Sequence, residues 1–451
     1  MTHRAVWCFI ACLIPALAAG QTVPASSVPL LSLNAAIRLA IENNRQLQSA
    51  RLQVAKADEQ IAATRTRRLP AFQADVNAAQ LLTPVSFAFP AGAFGEFAAT
   101  GPIPSTDTTV EVPRQPTYYL SSSVMQPITQ LIEIGLNIRN ATTSRDIEQQ
   151  RLRGHELSVA NSVKRLYFAI LQTQSALEAG HEAITLYREL DRTLEVRVVQ
   201  KVALQSDSMD VKVQLAEAEL AQVTRHNTLE SQKEQLNQLL GRVVTTSFDV
   251  EAVASAISTL ELDVDAARRL AVENRPDVRE AQLSLQQAEI NYRILKADRL
   301  PDVSLGVSYT SNFNMDILPS NMTTFGVKVT WEPFDWGRNR RERAASAHTI
   351  DQARLNVRET TDRSIVEINS RYRVLSEKRA ALAVAQVAQR ASREKLRVKA
   401  NLYQTQAALL PDVLQQRADL ANTDDRYQQS LLAFWSAQAD FEQSLGEEVM
   451  R

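Results

Sequence analysis

Two histidine–glutamate pairs, His155-Glu156 and His181-Glu182, are the first residues in this chain that invite a chemical reading. They open like the helical zinc-protease motif, in which two histidines hold the metal and the glutamate serves as base. Neither pair has the second histidine three residues on. The five histidines are scattered, and no Ser/His/Asp arrangement supplies a nucleophile with its base. There is no Walker-type phosphate loop and no Gly-rich dinucleotide fingerprint. Paired charges such as Glu182 and Arg188 read as solvated helix faces. The residues therefore predict no enzyme, no cofactor and no metal. Two aspartates stand apart, Asp207 and Asp412, each at the start of a helix-forming run. From position alone each reads as a helix N-cap.

The N-terminus reads as a leader. Arg4 is followed by an apolar run, Ala5 to Leu17, and then by small residues suited to cleavage. The run is too short for a membrane helix, which needs ~20 apolar residues. Residues 1–20 are predicted to be a signal peptide, with an uncleaved anchor as the alternative. Cys8 and Cys12 fall inside it, so the mature chain would have no thiol, disulfide or cysteine metal site. A formal net charge of −1 argues against a nucleic-acid partner. Only 12 glycines and 16 prolines punctuate 451 residues, and they cluster, which predicts long uninterrupted helices.

The chain repeats itself. At an offset of 231, Leu31 falls on Leu262, Ala35-Ala36 on Ala266-Ala267, Arg38-Leu39-Ala40 on Arg269-Leu270-Ala271, and Arg68-Leu69-Pro70 on Arg299-Leu300-Pro301. Later the offset is 205: Asp207 falls on Asp412 and Leu240-Gly241 on Leu445-Gly446. The first copy thus carries extra residues, mostly between Leu81 and Pro116. Two repeats, 31–241 and 262–446, joined by a linker at 242–261, are predicted to build one integrated channel domain. Each reads as a helix ending at Leu-Pro, two strands, a very long helix, a turn, and a shorter helix ending at Leu-Gly.

The strands alternate. Val303, Leu305, Val307 and Tyr309 share one face of the first run in the second repeat, and Phe325, Val327, Val329 and Trp331 one face of the next. A soluble sheet with one wet face has this pattern too. Length near that of a tilted membrane strand, roughly 9–11 residues, aromatics near the ends of the apolar faces and the leader favour lipid-facing residues. Four strands cannot close a barrel, and open edges are not tolerated in lipid. Several chains must share one. Two would give eight strands, an interior filled by side chains; three would give twelve and room for water.

The helices set a length. Arg338 to Leu410 contains neither glycine nor proline. Less its turn, that is a helix of about 100 Å at 1.5 Å per residue. Ile138 to Lys201 is comparable. Asp207–Leu240 laid end to end with Asp265–Leu300, and Asn34–Leu69 with Asp412–Leu445, would each flank one long helix. Val159, Val163, Leu166, Ile170 and Leu177 recur in heptad steps suited to coiled-coil pairing. The fold class expected is mainly α with a small β part: long antiparallel coiled-coil helices forming a tunnel, and four strands per chain contributing to a shared twelve-stranded transmembrane β-barrel in a trimer.

These features resemble the outer membrane efflux protein family, the TolC-like proteins. The resemblance is carried by Ala36 through Asn43 and Ala267 through Asn274, the Leu-Pro pairs before the strands, Gln126-Pro127 and Glu332-Pro333-Phe334-Asp335-Trp336-Gly337 after them, and both Leu-Gly endings. It implies a homotrimer in the outer membrane and its lipid, with a helical tunnel in the periplasm. It also implies a periplasmic adaptor and an inner-membrane transporter of RND or ABC type as partners, in a tripartite efflux pump or type I secretion. Matching the family's helix turns implies a tunnel gate at Asp412, Asp207, Tyr403 and Gln415, with Tyr403 a hydrogen-bond partner for Asp207 across neighbouring hairpins. It implies adaptor-docking tips at Lys201, Val202, Gln406 and Ala407. The chain departs from the family where the tip glycines become Lys201 and Gln406, a second tunnel acid becomes Gln415, and a latch arginine becomes Ala408. The rival reading is a periplasmic coiled-coil adaptor, which would usually show one hairpin and glycine-rich soluble barrels.

Overall fold

The lack of proline between Pro127 and Lys201, and of both proline and glycine between Gly337 and Gln404, lets two helices run far beyond the dimensions of an ordinary domain. In a computed structural model of the chain, residues 29–252, 263–314, 319–405 and 407–446 are described. The leader 1–20, part of the linker 242–261, and Gln406 lie outside them.

In chain order, β1 (Leu30–Leu31) leads into α1 (Leu33–Asn43), α2 (Arg45–Thr66) and β2 (Ala71–Gln80). An insertion follows, made of β3 (Val85–Phe89), β4 (Glu96–Phe97), β5 (Gly101–Pro102) and β6 (Thr108–Val112). Then come β7 (Pro116–Pro127), α3 (Gln130–Val199), α4 (Gln205–Leu239) and β8 (Asp249–Val250). The second half holds α5 (Val264–Asn274), α6 (Pro276–Ala297), β9 (Asp302–Phe313), β10 (Asn321–Thr330), α7 (Arg338–Gln404) and α8 (Leu410–Leu445).

The single helices expected over Asn34–Leu69 and Asp265–Leu300 are each broken in two, at Asn44 and Arg275. These positions are 231 apart, the repeat offset itself. At Arg275 the cause is Pro276, which opens a new helix and forces the preceding residue into extended backbone (ψ 127°). Asn44 does the same without a proline. Its side chain accepts from the backbone N–H of Gln46 (2.9 Å) and Leu47 (3.2 Å), capping α2.

These breaks decide which helices meet end to end, and the pairing differs from the one expected. Asn44 Nδ2 donates to the Leu239 carbonyl at the end of α4 (2.9 Å). The Arg275 guanidinium, only 14% exposed, bridges Asp277 and Glu367 (both 2.8 Å) and donates to the Ser444 carbonyl at the end of α8 (3.3 Å). Burial alone would push the Asp277 carboxyl up; the Arg275 charge beside it brings it below the ordinary carboxylate range. So α4 abuts α1 and α2, and α8 abuts α5 and α6, each within its own repeat. Local contact at the breaks overrides the cross-repeat match of lengths.

The helices form one layer. α3 packs along α2 and α4 on one side and along α6 and α8 on the other. α7 covers the far side of α6 and α8. Ion pairs mark these seams: Arg145–Asp58 to α2, Arg188–Glu219 to α4, Arg151–Glu280 to α6, and Lys164–Glu442 to α8. α2 and α4 form one edge of the layer and α7 the other. At 1.5 Å per residue the 70 residues of α3 span about 105 Å.

The main core lies where the breaks are. Val159, Val163 and Ile170 of α3 are buried with Ala36, Ala40, Leu236 and Phe248, and Leu166 and Leu177 pack against them. Tyr167 is fully buried there; its hydroxyl is shared between the carbonyls of Leu31 (2.8 Å) and Glu251 (2.6 Å). It thereby ties the parallel β1–β8 pair to the helical layer. Burial raises this phenol to about 12, so it remains a donor at any physiological pH. Tyr167→Phe is expected to lower stability by about 1–2 kcal/mol, read as a fall in the denaturant midpoint with an unchanged slope.

β2, β7, β9 and β10 form a four-stranded antiparallel sheet in the order β10-β9-β7-β2. Both outer strands have one bare edge.

Candidate gate and membrane faces

The end of the helical layer opposite the sheet is made by two turns, α3–α4 and α7–α8. Both close alike. Val202 N–H reaches back to the Arg197 carbonyl (2.9 Å), and Ala407 N–H to the Leu402 carbonyl (2.8 Å). This six-to-one bond normally leaves the residue before it in a left-handed conformation, which favours glycine. Lys201 occupies that place in the first turn with φ 59°. Lys201 thus holds a backbone conformation that usually selects glycine. Lys201→Gly is expected to stabilise the chain by about 1 kcal/mol, measured as a raised thermal midpoint. Gln406, its counterpart, lies outside the described residues. Val202 and Ala407 are both exposed.

Asp207 and Asp412 do not occupy the N-cap position read from sequence. The N-caps are Leu204 and Leu409, whose side chains cannot accept a hydrogen bond. Each aspartate lies three residues on, where a carboxylate can reach back to the cap. Asp412 does so, accepting from Leu409 N–H (3.1 Å). Asp207 accepts instead from the Ser206 hydroxyl (3.3 Å). Both carboxylates are exposed and belong to the first turn of a helix, where negative charge is favoured.

Gln415, the gate candidate one turn beyond Asp412, donates its amide to Asp419 (3.0 Å). Asp419, one turn further from the tip, is an acidic group that the motif match did not single out. Beyond it, α8 presents Asp424 and Asp425 to Glu178, Glu182 and Gln222 of α3 and α4, lining a groove between the hairpins. Arg417 crosses this groove to Glu182 (2.9 Å), and Gln389 of α7 donates to Asp424 (2.8 Å). Burial pushes the Asp425 carboxyl up. Only the heptad pattern could have placed these facing residues, and it does not resolve which helix lies opposite.

Tyr403 is exposed at the end of α7. Among the described residues it makes no hydrogen bond with Asp207 within the chain. The two lie on opposite edges of the helical layer, α7 and α4. Any contact between them must join different chains.

At the other end, the sheet register gathers the alternating residues. Phe325 pairs with Val307, Val327 with Leu305, and Val329 with Val303, so these six share a face. Tyr309 lies on it opposite Thr323. Val307 also pairs with Val124, and Val124 with Phe72, carrying the face across all four strands. Phe72 is 71% exposed and Phe325 72%. The opposite face holds Asp75, Ser121, Ser123, Thr310 and Lys328.

Two details correct the reading of the aromatics. Phe325 sits mid-strand rather than near an end, and Trp331 lies one residue beyond β10. Phe334 and Trp336 join Trp331 at this level, their rings 4.9 Å apart, with Trp336 90% exposed. Their motif was noted in the sequence, but not as part of an aromatic rim. Asp335 fixes the turn between them by accepting from Gly337 N–H (3.0 Å) and Asn339 N–H (2.8 Å). No described helix is long and apolar enough to cross a membrane.

Residues 36–242 and 267–447 match the family model described as outer membrane efflux protein. A Haemophilus influenzae protein described as uncharacterized is 25% identical over 244 residues, 51% of this chain and 50% of that protein. The match therefore spans about half the length of this curated relative. Among solved structures, CusC superposes with a TM-score of 0.73 at 17% identity, covering 92% of both chains. The Campylobacter jejuni CmeC outer membrane channel gives 0.71 at 17% identity, covering 92% of this chain and 85% of its own. The Vibrio cholerae outer membrane protein VceC gives 0.68 at 17%, covering 92% and 96%. At such identities the likeness establishes the fold, and the expected mainly α chain with a small β part holds.

Proposed function

The chain belongs to the outer membrane efflux protein family, and from that premise we propose that three copies form one passive exit duct across the outer membrane and into the periplasm. Members of this family are channels, not enzymes. One observation carries the reading furthest. A four-stranded sheet with two bare edges and one exposed apolar face is stable neither in water nor, alone, in lipid. Pairing β2 of one copy with β10 of the next removes every edge. It also keeps the antiparallel order, because β2 runs away from the helices and β10 towards them.

The same closure brings α4 of one copy beside α7 of the next. Both edges carry exposed apolar residues, including Met209, Val213 and Leu220 on α4 and Val384, Val387 and Val398 on α7. In this arrangement Phe325, Val327, Val329, Trp331, Val303, Leu305, Val307 and Tyr309 contact lipid, while Lys328 and Asp75 face the water-filled lumen. Repeats 31–241 and 262–446 act as one channel unit.

The proposed duct is passive. The duct serves an inner-membrane transporter through a periplasmic adaptor, in tripartite efflux or type I secretion. The adaptor docks at the turns around Lys201, Val202, Gln406 and Ala407. Three Asp412 carboxylates ring the tunnel mouth, with Asp207 held by a neighbouring chain's Tyr403. A carboxylate ring attracts cations and repels anions. Asp412→Ala is expected to relieve block of the reconstituted pore by multivalent cations, seen as an increase in the concentration needed for half block. The duct itself is tested by planar-bilayer recording of protein from the outer-membrane fraction: discrete conductance steps are expected, and a non-conducting monomer would refute it.

A further inference from the structure

The insertion between β2 and β7 carries an apolar ridge that the rest of the chain leaves uncovered. β3 and β6 pair Phe87 with Val110 and Val85 with Val112, so these residues share one face of the hairpin. Ser86, Ala88, Thr109 and Glu111 take the other. The base of the apolar face is closed, with Val112 buried. Phe87 and Val110 on that face are exposed, and further along the insertion so are Ile103, Phe94 and Phe97, the last two by 60% and 52%.

This lobe is a built structure. Phe89 and Phe94 pack with ring centroids 5.1 Å apart. Asp107 accepts from Ala91 N–H (2.8 Å), and Phe94 N–H donates to the Ile103 carbonyl (2.9 Å). Its root is fastened to the end of β9: Gln115 donates to the Asn314 carbonyl and Asn314 to the Pro116 carbonyl, both at 2.8 Å. An ordered ridge of this kind marks an interaction surface.

We infer that the ridge packs against the same lobe of a neighbouring copy, so that three lobes form an apolar collar at the far end of the shared barrel. The inference rests on the trimeric reading above. The lobe grows from β2, a sheet edge, and therefore stands at the seam where the next copy must pair. Its charge argues against lipid as the occupant. Residues 81–115 contain one base, Arg114, against Glu96, Asp107 and Glu111, whereas a surface that binds anionic lipid is rich in Lys and Arg. The exposed residues of the ridge itself, Phe87, Phe94, Phe97, Ile103 and Val110, carry no charge, so the ridge can meet its own copy without setting like charges against each other.

The test uses the full chain with Cys8 and Cys12 replaced by alanine and a single new cysteine, Phe97→Cys or, as a second variant, Val110→Cys. The detergent-extracted particle is treated with a short bis-maleimide and its covalent products are sized under denaturing conditions. Covalent dimers are expected from both variants, because one cysteine per chain lets each bis-maleimide join two chains only. A Val76→Cys/Val327→Cys chain probes the barrel seam in parallel. If the seam links and both lobe variants stay single, the collar is wrong while the trimer stands. If neither links and the particle is monomeric, the trimeric reading itself has failed. Reaction of the lobe cysteines with a bilayer-dissolved maleimide, without chain-to-chain products, would place the ridge in lipid and overturn the collar.

Discussion

Gly241→Ala and Gly446→Ala should each destabilise the protein by about 3 kcal/mol, combining roughly 1–2 kcal/mol for a left-handed alanine with roughly 1–3 kcal/mol for overpacking. Both glycines end a helix in the left-handed region, at φ 70° and 72°. Both are pressed against the break in their own repeat's first helix. A Cβ at 241 would lie 2.1 Å from the Asn43 carbonyl oxygen, and one at 446 would lie 2.9 Å from the backbone of Arg275. Neither obstacle is the end of a flexible side chain. Gly337→Ala is the control: its φ is 86°, but a Cβ there meets nothing within 4 Å. Only the conformational part, about 1 kcal/mol, should be lost. Thermal unfolding followed by far-ultraviolet circular dichroism separates the three. Equal losses at all three positions would deny the end-to-end contact of α4 with α1 and of α8 with α5.

Val327→Arg should cost about 2–4 kcal/mol per chain, the depth-dependent penalty of a charge at the lipid-facing midplane of a barrel. Val327 pairs with Leu305 near the middle of β10, four residues before Trp331 at the aromatic rim. A shared barrel would carry three such charges, so the variant should vanish from the outer-membrane fraction as an assembled particle. Its neighbour Lys328 points to the other face. Lys328→Gln should assemble normally and shift ion selectivity towards cations. The contrast tests the alternation of the sheet, because a one-residue change of register would exchange the two outcomes.

Much of this architecture is legible in the residues. Strict alternation from Val303 to Tyr309 and from Phe325 to Glu332 marks strands because side chains alternate between sheet faces. The lack of glycine and proline between Arg338 and Leu410 marks α7 because little else interrupts a helix. Other features were hidden for identifiable reasons. Pro276 breaks the segment expected as one helix over Asp265–Leu300, a signal present in the residues that the expected single helix passed over, whereas Asn44 breaks its helix by side-chain capping, which resembles any polar helix position in sequence. The pairing of α4 with α1 depends on Gly241 meeting Asn43, residues distant in the chain, and length matching alone favoured the wrong partners. At the tips, Asp207 and Asp412 looked like N-caps because they open helices; the turn places the cap three residues earlier, on leucine. Tyr403 and Asp207 sit on opposite edges of one chain, so the contact proposed between them can form only between chains.

Whether three copies assemble is decided by the mass of the native particle. The full-length chain would be expressed, the outer-membrane fraction extracted in mild detergent, and the protein mass of the particle measured by native mass spectrometry. Three chains per particle are expected, the number that closes the sheet edges and leaves an aqueous lumen. A soluble periplasmic monomer would contradict this, because β2, β10 and the apolar face they share would then have no partner at all.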